Sequence, residues 1–158
     1  MLPLLALLLA GTPGGAVPDA LEGRFYDAGG NRDAAIDALL GELPFFKRPF
    51  ARTQLLRATV PCKMVEIAEQ ADLLFIGCDD HTPAIATPNR TVTYADADGR
   101  RFQLTMRVLD DRIVQTFASP MGTRTNVYSI VGDGLRIDTK VESDRLPRPL
   151  EYSHSFRR

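Results

Sequence analysis

The sequence predicts a mainly β fold: a single antiparallel up-and-down β-barrel of about 8–10 strands, with two short helices between the first and second strands. Three observations carry this. From Pro61 onward the chain breaks into short segments that alternate apolar and polar residues with period two. Polar turns such as "DADG", "SPMG" and "GDG" separate those segments at even spacing. A helical period appears only ahead of them, between about residues 31 and 59. A long antiparallel meander leaves two unpaired edges unless it closes, which favours a barrel over an open sheet or a sandwich.

The elements follow in chain order. "LPLLALLLA" (Leu2 to Ala10) is an apolar run of signal-peptide length, too short to span a bilayer, with no Lys or Arg ahead of it. Gly14 and Ala16 supply the small residues of a cleavage site before Val17. The reading is a signal peptide over residues 1–16 and one barrel domain over residues 17–158; a buried N-terminal strand is the alternative. Export, to a periplasm or to the outside, follows from the first reading, with no transmembrane segment after cleavage. "GRFYD" (Gly23 to Asp27) is a short first strand stopped by Gly29 and Gly30. Asn31 or Asp33 can cap a helix whose Ile36, Leu39, Leu40 and Leu43 fall on one face. Gly41 weakens its end and Pro44 stops it. "FFKRP" turns the chain, and Pro49 suits the first turn of a second helix running to about Thr59. Phe45 and Phe46 in that link form a lid: the two rings either gate a cavity mouth or anchor the helix pair on the barrel.

Turn chemistry sets the register of the later strands, and register sets their faces. "ADG" (Ala97 to Gly99), with Gly99 left-handed, puts Tyr94 opposite Phe102 and Val92 opposite Leu104. A turn at Asp110-Asp111 pairs Val108 with Ile113, Met106 with Gln115 and Leu104 with Phe117. Closing "SPMG" pairs Phe117 with Arg124, Gln115 with Asn126 and Ile113 with Tyr128. The inner face is then mainly apolar but also holds Gln115, Arg124, Asn126, Tyr128, Thr139, Tyr152 and His154. So many polar groups suit a partly polar cavity better than a solid core, where each would need a buried partner. Alternatively Arg124 sits on the rim in solvent and the others satisfy one another.

The two cysteines, Cys62 and Cys78, flank the second hairpin. An odd loop centred on Gln70 places them opposite one another, with Val65 facing Phe75 and Ile67 facing Leu73, and predicts a disulfide. An even loop at Gln70-Ala71 would put the sulfurs on opposite faces. Export favours the bond. "CDDH" (Cys78 to His81) reads as a polar turn rather than a metal site, since sequential strand residues alternate direction. "NRT" (Asn89 to Thr91) matches a glycosylation acceptor, a short pattern that also arises by chance.

These residues resemble the calycins, the lipocalins and fatty-acid-binding proteins, in layout over roughly residues 22–158. "GRF" at Gly23 to Phe25 resembles the lipocalin Gly-x-Trp, with Phe in place of Trp. Arg157 or Arg158 is similar to the lipocalin Arg that packs over that ring. The helix pair after the first strand is similar to the lid of fatty-acid-binding proteins. The resemblance implies a ligand carboxylate held by inward Arg and Tyr, here Arg124 and Tyr152. Two departures stand out: Leu150 occupies the place of Arg in the last-strand Arg-x-Tyr pair, and no lipocalin Thr-Asp-Tyr motif is present.

The formal net charge of −1 gives no basic face for nucleic acid or an anionic membrane surface. No catalytic signature stands out and no cofactor or metal is implied. The function expected is an exported, lipocalin-like binder of a small, mostly apolar ligand such as a lipid or fatty acid, not an enzyme. In it Arg124, Asn126, Tyr152 and His154 orient the polar end of the ligand. The alternatives are a structural or interaction module of the cell envelope with a filled barrel, and a small barrel enzyme using His154 as general base.

Overall fold

The computed structural model describes residues 16–79 and 81–158, so the apolar leader at residues 2–10 lies outside the described residues. Strand β1 (Gly23–Gly30) is followed by helices α1 (Arg32–Leu40) and α2 (Arg48–Ala58). Then come β2 (Met64–Gln70), β3 (Leu73–Cys78), β4 (Ala84–Ala86), β5 (Thr91–Ala95) and β6 (Arg101–Val108). The chain ends with β7 (Arg112–Ser119), β8 (Gly122–Val131), β9 (Gly134–Glu142) and β10 (Leu150–Arg157). Single 3-10 turns occupy Asp19–Leu21 and Phe45–Lys47.

All ten strands form one antiparallel sheet in the order β4-β3-β2-β1-β10-β9-β8-β7-β6-β5, curled into a nearly closed barrel. The two edges, β4 and β5, do not pair. Two hydrogen bonds span this region instead: the Tyr94 hydroxyl of β5 donates to the Thr82 carbonyl just ahead of β4 at 2.9 Å, and in the link between the two strands the Asn89 N–H donates to Met106 O of β6 at 2.7 Å. Asn89 itself turns the chain with φ 66°. Among the described residues no helix is long and apolar enough to cross a membrane.

Register in the C-terminal half follows the turn chemistry. Tyr94 pairs with Phe102, Met106 with Gln115, Gln115 with Asn126, and Asn126 with Thr139. Gly99 turns the β5–β6 loop with φ 78°, a backbone conformation a side chain would resist. "SPMG" and "GDG" both close as two-residue turns, Ser119 facing Gly122 and Val131 facing Gly134.

The N-terminal half departs in three places. First, β1 does not stop at Gly29 but runs to Gly30, with an irregularity in its pairing between Asp27 and Gly29. Glycine serves close approach there rather than termination: a Cβ on Gly30 would lie 2.5 Å from both His154 Nδ1 and Ser153 O. Second, β4 is a strand of three residues between Pro83 and Pro88, too short to show a period. Third, the β2–β3 turn is Ala71-Asp72, both at positive φ (49° and 64°), so Val65 faces Cys78 and Ile67 faces Ile76. The expected pairs Val65–Phe75 and Ile67–Leu73, and the direct opposition of the cysteines, are therefore wrong. No Gly or Asn marks the turn, and Ala71 is a residue that rarely adopts this conformation.

Cys62 and Cys78 are nonetheless bonded, with their Cα atoms 5.3 Å apart. Cys62 precedes β2, in the connection from α2, and so is free of the strand's alternation. Cys78 sits at the end of β3 on the inward row of Leu74 and Ile76. The bond exists, but for a different geometric reason from the one the hairpin suggested.

Two apolar clusters hold the molecule. The lid cluster packs Ile36, Leu39, Leu40 and Leu55 against Leu150 of β10. At about 1.5–3 kcal/mol per buried aliphatic side chain, the four lid residues contribute roughly 6–12 kcal/mol of transfer free energy, an upper value. Asn31 precedes α1 but does not cap it: its Oδ1 accepts the Ser153 N–H at 2.8 Å, joining the helix start to β10. The barrel cluster runs from the floor, where Val17, Leu21 and Phe25 are buried, upward through Leu104, Met106 and Ile113. Arg158, rather than Arg157, lies 4.7 Å over the Phe25 ring and donates to the carbonyls of Ala20 and Glu22.

Candidate functional site: the barrel interior beneath the lid

The inward rows of β7 to β10 leave a cavity of about 1430 Å³ rather than meeting in a solid core. It opens under the lid, between α2, the β5–β6 and β7–β8 turns, and the β9–β10 loop, with Phe46, Phe50, Met121 and Leu146 at the mouth. Strand alternation places the polar side chains. Gln115, Asn126, Tyr128, Thr139, Tyr152 and His154 all occupy inward positions of successive strands, and each lines this space.

Four of them form one chain of hydrogen bonds. The Thr139 hydroxyl donates to Asn126 Oδ1 at 2.9 Å, and Asn126 Nδ2 donates to Gln115 Oε1 at 2.9 Å. The Tyr128 hydroxyl donates to the same Gln115 oxygen at 2.7 Å, which uses both of its lone pairs. Gln115 Nε2 finds only the Met106 sulfur, at 3.8 Å, a weak acceptor. Burial pushes the Tyr128 phenol well above its usual range, so it stays a neutral donor. Burial also raises the Tyr152 phenol, with Thr139 first and then the Arg124 and Arg32 charges working against the shift.

Arg124 is neither deep nor in open solvent. Its guanidinium lies 4.7 Å over the Phe117 ring, and Nη1 donates to the carbonyl of Ala58, the last residue of α2, at 3.0 Å. That carbonyl belongs to the negative end of a helix, where a cation is favoured. Arg124 Nε is buried without a hydrogen-bond partner, and Arg124 makes no salt bridge among the described residues. Other cations line the cavity too, and sequence reasoning missed the one at the start of the lid. Arg32, at the start of α1, donates to Thr59 O at 2.9 Å and pairs with Asp33 at 2.8 Å. A residue at a helix start carries no sequence signal that it borders a cavity. The position held by Leu150 carries no charge to the site: that side chain is fully buried under the lid.

His154 faces the cavity, its ring 4.9 Å from that of Phe156 and tilted 43° to it, but its Nε2 is engaged with the Asp27 carboxylate. The Gly29 N–H and then His154 hold the Asp27 carboxyl below its ordinary value of 3.8. Phe45 and Phe46 are 79% and 66% exposed, so neither anchors the helices; that role belongs to the aliphatic cluster. Phe46 reaches the mouth, and Phe50, in the first turn of α2 and 67% exposed, also lines it. Of "CDDH", Asp80 lies outside the described residues. Asp79 accepts the N–H groups of Lys63 and Met64, which makes it part of a turn. Among the described residues no three His, Cys, Asp or Glu side chains are grouped to hold a metal ion.

No family model matches the sequence, and no curated protein matches it. Solved structures do resemble the fold. Caenorhabditis elegans lipid binding protein 8 superposes with a TM-score of 0.60 at 9% identity, covering 91% of this chain and 99% of that one. A Schistosoma mansoni fatty acid binding protein in complex with arachidonic acid gives 0.57 at 15% identity, covering 90% and 98%. Zebrafish ileal bile acid-binding protein complexed with cholic acid gives 0.56 at 10% identity, covering 89% and 99%. At these identities the likeness shows a shared fold: ten antiparallel strands in a nearly closed barrel with two helices after the first strand.

Proposed function

We propose that the chain is an exported carrier of a small, mostly apolar ligand that ends in a carboxylate or similar acidic group. One observation carries the reading: a cavity of about 1430 Å³ is lined by the Arg124 guanidinium, which pairs with no carboxylate among the described residues. The Ala58 carbonyl takes only Nη1, so the Arg124 guanidinium keeps donors for an anion, and a carboxylate suits its planar fork. Tyr152, Thr139 and Asn126 supply neutral groups on the same wall. Phe102, Phe117 and Ile137 supply apolar surface for a chain or ring system. Two solved proteins of this fold were captured with arachidonic acid and cholic acid, which supports the same ligand class. The disulfide supports an oxidising compartment.

A filled structural barrel fits less well, because the interior is open. Acid–base catalysis by His154 also fits less well, because Nε2 contacts Asp27 and the remaining nitrogen, Nδ1, lies against Gly30.

Native mass spectrometry of protein purified from an exporting host tests the carrier reading directly, with a co-purified lipid as the expected result. A displacement assay with a fluorescent fatty acid then tests the head-group contact. A charge-assisted hydrogen bond of about 1.5–3 kcal/mol corresponds to roughly 10- to 150-fold in affinity. Arg124→Met should weaken binding of the acid by that factor and leave its methyl ester unaffected. Equal affinity of the unsubstituted protein for acid and ester would overturn the assignment of Arg124.

A further inference from the structure

The end of the barrel opposite the lid is closed by residues 16–22, and one contact there stands out. The Val17 nitrogen donates to Glu69 Oε2 at 2.7 Å, across 52 residues of chain. Glu69 continues the inward row of Val65 and Ile67 on β2 and faces the fully buried Leu74. A carboxylate on an apolar inward row needs a strong partner to offset its lost hydration. Among the described residues no Lys, Arg or His forms a salt bridge with it; its side chain has only the Val17 N–H. Val17 is itself 4% exposed, a floor plug, whereas Ala16 just before it is exposed.

We propose that Val17 is the first residue of the working protein and that its α-ammonium group is the cation Glu69 lacks. The cut is hydrolysis of the Ala16–Val17 amide by an endoprotease that selects small residues, here Gly14 and Ala16, ahead of the bond. Water gives its hydroxyl to the Ala16 carbonyl carbon and a proton to the Val17 nitrogen, and the C–N bond breaks. The freed amine, with an ordinary pKa of about 7.7–8.0, takes a second proton from solvent at neutral pH. The nitrogen is already in place, so processing turns a neutral amide donor into a charged one without moving the floor. The exposed scissile side and the buried side differ by one residue, as a cut before Val17 requires.

The surrounding charges favour a cation. Asp19 and Glu22 belong to the plug itself, and Glu22 Oε1 accepts the Glu69 N–H at 3.1 Å. Arg158 is occupied with the Ala20 and Glu22 carbonyls. The turns at this end carry Asp72, Asp110 and Asp133, and Asp111 is already paired with Arg112. Pairing raises the folded-state pKa of the amine. Its stabilisation is therefore complete below the unfolded value near 8 and is lost as pH rises through the folded value.

The test has two arms. Intact mass and N-terminal sequencing of the protein recovered from an exporting host should find Val17 first; a retained leader or any other first residue overturns the proposal. In the second arm, chains beginning at Val17 and at Ala16 are released from a cleavable tag and melted at several pH values. The Val17 chain should melt about 2–4 °C higher at pH 6.5, and the gap should close above about pH 10. Glu69→Gln should remove the gap at every pH. Equal melting of the two chains at pH 6.5, or a gap that survives at high pH, overturns the ion pair without needing the variant to fold.

Discussion

The interior hydrogen-bond chain makes a prediction about Gln115 that turns on counting donors. Gln115 Oε1 accepts from both Asn126 Nδ2 and the Tyr128 hydroxyl. Gln115→Met keeps the length and shape of the side chain but strands both donors. An unsatisfied buried donor costs about 1–3 kcal/mol, so the expected loss is about 2–6 kcal/mol when the cavity is filled with an apolar ligand. In a ligand-free, hydrated cavity water can take over, and the loss should fall to about 1 kcal/mol. Tyr128→Phe removes one donor and leaves the oxygen bonded to Asn126, so it should cost only about 0.5–1.5 kcal/mol in either state. Adding Tyr128→Phe to Gln115→Met should recover stability, because it deletes one of the stranded donors. Urea unfolding of lipid-stripped and fatty-acid-saturated protein measures all four combinations. Simple additivity of the two substitutions in the loaded protein would refute the reasoning, since two residues sharing one acceptor must couple.

Other outcomes follow from the same structure. Phe46→Ala with Phe50→Ala should leave the unfolding midpoint within about 0.5 kcal/mol of the parent, because both rings are exposed, while speeding ligand release in stopped-flow dilution. A large stability loss with an unchanged release rate would remove the rings from the mouth. Leu40→Ala, under the lid and 2% exposed, should cost about 2–5 kcal/mol in a thermal or urea melt; a loss below 1 kcal/mol would mean the lid does not dock as described. Cys62→Ser with Cys78→Ser should cost about 3 kcal/mol, the chain-entropy value for a loop of this size, and unchanged unfolding would count against the bond. Asp27 is held below 3.8 in the folded state, so its stabilisation is present above that value and lost as pH falls through the lowered one. Asp27→Asn should flatten the acid limb of the stability profile, and an unchanged limb would show that Asp27 does not contribute to it.

The C-terminal half of the barrel was readable because its turns name themselves. "DADG", "SPMG" and "GDG" each admit few closures, and every admissible closure puts Gln115, Asn126 and Thr139 on one row. The β2–β3 hairpin was not readable in the same way. Ala71-Asp72 carries no Gly or Asn, so the positive φ at both positions comes from the register that buries Val65, Ile67, Leu74 and Ile76 together. Local chemistry proposed one pairing and tertiary burial selected another. The same limit explains Arg32 and Phe50. Whether a helical Arg or Phe points at a cavity depends on how the helix lies on the barrel, which no periodicity within the helix specifies. Phe45 and Phe46 were noticed for the right reason, as aromatic rings in a link, yet only Phe46 reaches the mouth.

The strand order also governs how this chain reaches its native state. Each ladder joins strands adjacent in sequence except β1–β10, and the one adjacent pair left unjoined is β4–β5. The sheet is thus two meanders, β1 to β4 and β5 to β10; the hairpins within each form from contacts near in sequence and therefore early, while β1 reaches β2 only across the helix pair, as in Gly23 with Ile67. Their fusion must wait for the last eight strand residues, Leu150–Arg157, because β10 is the only partner β1 has on that side. A chain emerging N-terminus first spends nearly all of its synthesis or translocation with β1 presenting a bare edge. Slowed release of the C-terminus, or truncation of β10, should therefore leave two folded halves that cannot close. The vulnerable species is that open sheet, and aggregation through the β1 edge is its expected fate.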